Sequence, residues 1–244
     1  MDPSEDNDGK VVPVRNTYSP VTLFALLIIV IQILISLVTY PFLPAIVPTH
    51  WNAAGQVDAY APKWVNAVLF PALSLGVYVL IRLLVVVGPR LGAQGRRANQ
   101  DVVNLILAGI LLFMFVLHLT ATAIALGLPV DISFVMNLSL SVLLIFIGNY
   151  MGKLRRNFWA GIRTPWTLVS EVSWERTHRL GGWLLVVGGL LGIIMSFVPP
   201  LRFWGIISIL ALIGVILVVY SYLVYQRAAS GEGESLSPPF DQGV

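Results

Sequence analysis

The chain has 244 residues, of which 57% are apolar and 11% charged, with a mean hydropathy of +0.84. A soluble domain carries about a quarter charged residues, so this balance excludes an ordinary soluble enzyme or binding module and indicates an integral membrane protein. The absence of cysteine excludes a disulfide framework and any thiolate site, and the net charge of +3 reflects anchoring to a membrane rather than nucleic-acid binding.

Residues 1–18 are rich in Asp, Glu, Pro, Ser and Asn, and residues 228–244 in Gly, Ser, Pro and Glu. Both are expected to be disordered tails, because they bury too little to offset the entropy of ordering. The acidic start and the lack of a small-residue cleavage site make the first apolar run a retained anchor rather than a signal peptide. A bilayer core of about 30 Å needs about 20 apolar residues in helical form. Six stretches satisfy this: 21–40, 65–87, 105–126, 132–151, 181–198 and 203–225. The expected fold is therefore all-α, with six transmembrane helices arranged as three hairpins. Of the 15 Lys and Arg residues, all but Lys63 and Arg202 fall on one side. By the positive-inside bias that side is cytoplasmic, together with both termini.

The first outer connection, 41–64, is long and holds PTHWNAAGQVDAYAPKW. Asn52, Gly55 and Asp58 suit a turn, Lys63 suits the start of the second span, and Trp51, Tyr60 and Trp64 suit the bilayer interface. Within the spans two polar residues stand out. Arg82 is close enough to the inner interface to snorkel. His118 falls near mid-membrane, where no Asp or Glu in the spans provides a relay partner. Gly148 and Gly152, and Gly188 and Gly192, have small-residue packing spacing, and Gly181 precedes Gly188 by one heptad on the same face.

Between the fourth and fifth spans lies a basic, tryptophan-rich segment, 152–180. Thr164 before Pro165 is expected to be extended, and Ser170 with Glu171 offers a helix cap. A short helix from 171 to 179 then sets Trp174 and His178 on one stripe and Glu175 and Arg179 on the next, before Gly181 and Gly182 redirect the chain into the fifth span. Glu175 and His178 have metal-motif spacing but lack the second copy and further ligands a bundle site needs, and no activated nucleophile is recognisable. No metal, cofactor or catalysis is expected. What remains is a candidate partner-binding set, Asn157, Arg163, Thr164, Pro165, Trp166, Thr167, Trp174, Thr177, His178 and Arg179, rich in the residue types of binding hot spots. The alternative is that Arg163 and Trp166 only hold the segment to the inner leaflet.

The run GNYMGKLRRNFWAGIRTPWTL, followed by WERTHRLGG, resembles the C-terminal half of the SdpI family of bacterial membrane immunity proteins. The segment around His50, Asn52, Gly55, Asp58 and Lys63 is similar to the short N-terminal domain, of undefined function, that often precedes it. The resemblance implies a multi-pass protein of the bacterial inner membrane that protects its cell against a secreted toxic peptide and captures a small cytoplasmic transcriptional repressor at the membrane. It also makes the five outer-loop residues sensing candidates. The implied division is a tail at 1–18, a two-helix unit at 19–101, an SdpI-like four-helix unit at 102–227 and a tail at 228–244. A small multi-pass transporter using His118 and Arg82, or an envelope-stress membrane protein, is the alternative.

Overall fold

A computed structural model describes residues 20–87, 96–158 and 160–230. The two expected tails fall largely outside these, although residues 228 and 229 continue the last helix instead of leaving it. Helices α1 (Pro20–Thr39), α2 (Lys63–Val87), α3 (Arg96–Ala125), α4 (Ile132–Met151), α6 (Glu171–Ser196) and α7 (Arg202–Ala229) are separated, between α4 and α6, by the short α5 (Pro165–Val169). The six long ones are all of sufficient length and apolarity to cross a membrane, in agreement with the sequence expectation. Pro71 lies inside α2 without ending it. The loss of one backbone donor is tolerated in a helix that neighbouring helices support.

Two boundaries differ from expectation. Helix α3 begins with polar residues well before position 105, and at 30 residues it is about 45 Å long, more than the hydrocarbon thickness. Helix α6 runs unbroken from Glu171 through Gly181 and Gly182, so the predicted short helix and redirection do not exist. Those glycines serve packing. A Cβ on Gly182 would lie 2.7 Å from the Gly148 carbonyl oxygen, and one on Gly189 would lie 2.6 Å from that of Ser141. The backbones of α4 and α6 therefore approach as closely as small residues permit, and among the described elements these two helices make the most extensive contact. Gly181 and Gly188 turn instead to Leu217, Ile209 and Ile213 of α7.

Helices α1, α2 and α3 pack together around Ala25, Ile28, Ile29, Leu107 and Leu111. Helices α4, α6 and α7 pack around Leu144, Leu185, Ile206, Ile213 and Leu217. Contact between α3 and α4 joins the two groups.

The connection after α1 contains an element the hydropathy pattern did not reveal. A 3-10 turn (Tyr40–Phe42) leads into β1 (Ile46–Trp51), which pairs antiparallel with β2 (Val57–Pro62). Pro48 and Pro62 interrupt the alternation that marks a strand, yet both are tolerated where a two-stranded ribbon leaves outer edges unpaired. The turn uses the expected residues. Asn52 Oδ1 accepts from the Ala54 and Gln56 amides at 2.9 and 3.0 Å, and Gly55 adopts φ +76°. Buried Val47 seats the ribbon on Ala125 at the end of α3 together with Leu43, and Gly55 at its tip lies against the Ser133 side chain of α4. The same end of the molecule carries the pairing of Arg202 with Asp131, which ties the start of α7 to the N-cap of α4. We call this the ribbon end, and the opposite one the basic end.

Candidate functional site

At the basic end, residues 152–170 fold into a compact connector. Asn157 fixes its first bend: Nδ2 donates to the Arg155 carbonyl at 2.8 Å and Oδ1 accepts from the Ala160 amide at 2.7 Å. Gly161 follows at φ +104°, a conformation that side chains disfavour. Thr164, extended at φ −85° and ψ 160°, then caps α5 in a reciprocal arrangement with Thr167, and Pro165 occupies the first helical turn, where it is pre-organised. Thr167 Oγ1 also donates to the Ile162 carbonyl at 2.8 Å. Ser170 caps α6 by accepting from the Ser173 amide, and Glu171 stands in the first turn, as the sequence suggested.

The first two turns of α6 lock the connector in place. Trp174 and His178 stack at 3.9 Å between ring centroids. The Trp174 indole donates to the Leu154 carbonyl at 2.7 Å, and its ring packs with Val85, Val102 and Val103 of α2 and α3. His178 makes two backbone bonds: Nε2 accepts from the Ile162 amide at 2.9 Å, and Nδ1 lies 2.8 Å from the Trp174 carbonyl, to which it donates. That pairing uses one lone pair and one N–H, which defines a neutral imidazole with its proton on Nδ1. Gly161 is pressed so closely against His178 that a Cβ there would lie 2.3 Å from Nε2. On the other side Thr164 Oγ1 bonds Ser221 Oγ of α7 at 3.0 Å, and Ser173 Oγ donates to the Ser221 carbonyl at 2.9 Å.

The candidate partner-binding residues thus come together, but six of the ten, Asn157, Thr164, Thr167, Trp174, Thr177 and His178, are buried rather than displayed. Arg163, Pro165 and Arg179 are exposed and Trp166 is half-buried. Arg163 Nη1 donates to the Phe158 carbonyl at 3.0 Å, and Trp166 leans on Tyr222 of α7 at 5.0 Å. The sequence reading missed Ser221, Leu154 and Ile162. Ser221 carried a faint signal as a hydroxyl inside an apolar run. Leu154 and Ile162 take part in these bonds through backbone atoms, which residue type cannot reveal.

The ribbon-end candidates are arranged differently. His50 Nδ1 and Asp58 Oδ1 form an exposed pair across the two strands. Asn52 and Gly55 shape the turn, while Lys63 Nζ donates to the Tyr40 carbonyl at 3.2 Å and lies 4.6 Å above the Tyr40 ring. Among the described residues no three of His, Asp and Glu are grouped as a metal would require.

Six apolar helices, a ribbon at one end and a tightly folded basic connector at the other define a multi-pass membrane protein whose two ends have different construction. Residues 153–224 match the SdpI/YfhL protein family, and residues 27–75 match DUF1648, a domain of unknown function. The DUF1648 match precedes the SdpI/YfhL match along the chain, the order that the sequence resemblance implied. It is 25% identical over 209 residues to the immunity protein SdpI of Bacillus subtilis (strain 168), an alignment that covers 86% of this chain and 97% of that protein. No solved structure matches.

Proposed function

We propose that the chain is a non-enzymatic immunity and signalling protein of the bacterial inner membrane that gives its cell resistance to a secreted toxic peptide. The observation that carries this reading is the alignment with a named immunity protein over nearly that protein's whole length, so the likeness includes ribbon, spans and connector together. The ribbon end faces outward in this reading, and both termini and the connector face the cytoplasm. The charge bias supports that orientation, since Lys63 and Arg202 alone of the Lys and Arg residues are assigned to the ribbon end. Cysteines introduced singly at Ala54 and Lys153 are expected to react with an impermeant reagent from outside only at Ala54, and the reverse pattern overturns the orientation.

On this reading the exposed His50 and Asp58 pair meets the toxic peptide, with Asn52, Gly55 and Lys63 holding the ribbon's shape. Arg163, Pro165, Trp166 and Arg179 face the cytoplasm, where they meet a small transcriptional repressor, and the buried connector residues hold them in position. The lipid bilayer is the third partner. Direct nucleic-acid binding has no part in the reading, because the basic residues are accounted for by anchoring at the headgroups. The transporter alternative needs Arg82 and His118 on one path. His118 stacks on Phe70 of α2, and Arg82 lies 12 residues further along that helix, about 18 Å away.

The test is deletion of the gene followed by exposure to the toxic secretions of sibling cells. Survival is expected to collapse on deletion and to return with the parent gene. Equal survival with and without the gene overturns the proposal.

A further inference from the structure

Helices α1, α2 and α3 enclose a file of polar side chains with regular spacing. Nearest the ribbon, Thr122 Oγ1 donates to Asn66 Oδ1 at 3.2 Å. Four residues along each helix, His118 stacks on Phe70 and its Nε2 lies 3.3 Å from Ser36 Oγ of α1. A further four residues along, Ser74 Oγ lies 3.8 Å from Met114 Sδ, and Gln32 of α1 stands one turn below Ser36. Successive layers are about 6 Å apart, so the third lies about 16 Å from the end of α3, close to the middle of a bilayer core about 30 Å thick.

Gln32, Ser74 and His118 are fully buried. The first layer is satisfied internally, but in the deeper two Gln32 Nε2, Gln32 Oε1 and His118 Nδ1 have no partner among the described residues. Three such atoms gathered between the same helices are unusual, because buried polar groups are nearly always bonded and hydrocarbon supplies no alternative. Below the third layer the interface becomes apolar, with Ile28, Ile29, Leu107 and Leu111. At the other end the file stops one turn short of Ala125, on which Val47 of the ribbon rests.

We propose that Gln32 and His118 bind water between α1, α2 and α3, in a blind internal site beneath the ribbon. The ligand class follows from the lining. Amide, hydroxyl and imidazole groups offer both donors and acceptors, and the layers hold no carboxylate or ammonium group, so the site takes a small neutral hydrogen-bonding molecule. The apolar layer closes it toward the basic end, and water exchanges by way of the ribbon end. The inference is independent of the immunity reading, since it concerns hydration and not protection.

Pulsed X-ray radiolysis of the full chain in lipid nanodiscs, read by mass spectrometry, oxidises side chains beside bound water. Met114 borders the site, whereas Met136 faces the bilayer at 46% exposure and serves as the reference. Met114 is expected to be oxidised several times faster than Met136, and Gln32→Leu to reduce its rate roughly fivefold or more, because one water loses its main partners. Met114 oxidation no faster than that of Met136, or unchanged in Gln32→Leu, overturns the proposal. Thermal unfolding gives a second arm. An amide bonded to water is expected to make Gln32→Leu no more stable than the parent, while a clear rise in midpoint shows an unbonded amide and overturns the proposal. A variant that fails to fold leaves the comparison of Met114 with Met136 in the parent to decide.

Discussion

The ribbon and the connector are two segments of similar length between spans, and both turn on a glycine at positive φ, Gly55 and Gly161. They use polar residues in opposite ways. The ribbon displays His50 and Asp58 and keeps one small buried cluster at its base. The connector turns Asn157, Thr164 and Thr167 inward, where each satisfies backbone groups or another side chain, and His178 at the start of α6 bonds the backbone through both ring nitrogens. A dense motif is therefore no guide to a displayed surface. For six of the ten candidate residues identity is fixed mainly by burial and the pairing of polar atoms, and of the ten Arg163, Pro165, Trp166 and Arg179 are left to meet a partner.

The two glycines break this comparison most sharply. Gly55→Ala incurs the strain of positive φ and must move the Ser133 side chain, which can change rotamer; about 1–2 kcal/mol is expected. Gly161→Ala meets the same strain but pushes on His178, which is bonded on both ring nitrogens and stacked on Trp174. Displacing that ring leaves the Ile162 amide unpaired, so the expected loss is about 3 kcal/mol or more. Thermal unfolding in detergent should show the Gly161 variant melting well below the Gly55 variant, and equal midpoints would remove the claim that the connector is the more tightly locked of the two.

A smaller effect separates buried from displayed aromatic and imidazole groups. Trp174→Phe keeps a ring in the cluster with Val85, Val102 and Val103 but deletes the donor to the Leu154 carbonyl. The predicted cost is about 1–3 kcal/mol, that of a buried acceptor left unmade. His50→Gln on the ribbon should change stability by about 0.5 kcal/mol or less, as an exposed substitution does. Denaturation midpoints of the two variants, measured side by side, check both values.

The spans and the connector were legible to different depths. Hydropathy sufficed for six helices because a bilayer imposes length and apolarity directly. The caps at Thr164 and Ser170 were legible because a capping oxygen acts on a neighbour a few residues away. Burial of Trp174 and His178 was not, since it depends on the Leu154 carbonyl and the Ile162 amide, 20 and 16 residues distant. Gly181 and Gly182 read as a break because glycine weakens isolated helices, whereas inside a bundle the missing Cβ is what lets helices meet. The ribbon stayed hidden behind its prolines. Gln32, one amide in an apolar run, becomes informative only once Ser36 and His118 are seen on the same interface.

Arg163→Lys gives the smallest expected change in stability and the most informative one in function. Arg163 is exposed and makes one bond, to the Phe158 carbonyl, which a lysine ammonium is able to replace in part. A loss of about 0.5 kcal/mol or less is expected, with membrane abundance unchanged. If the residue only holds the connector to the headgroups, lysine serves equally, because both cations snorkel. Recognition of a partner by the planar guanidinium fork does not survive the change, since lysine offers a point charge without fixed donor geometry. On the proposed function, protection or repressor capture therefore falls about tenfold, equivalent to about 1.4 kcal/mol of binding. Trp166→Phe is the companion variant: it retains a ring against Tyr222 and loses the indole donor, so it separates packing from recognition in the same way. Full protection in both variants at equal abundance would assign the exposed face of the connector to anchoring, and leave His50 and Asp58 on the ribbon as the displayed chemistry on which immunity has to rest.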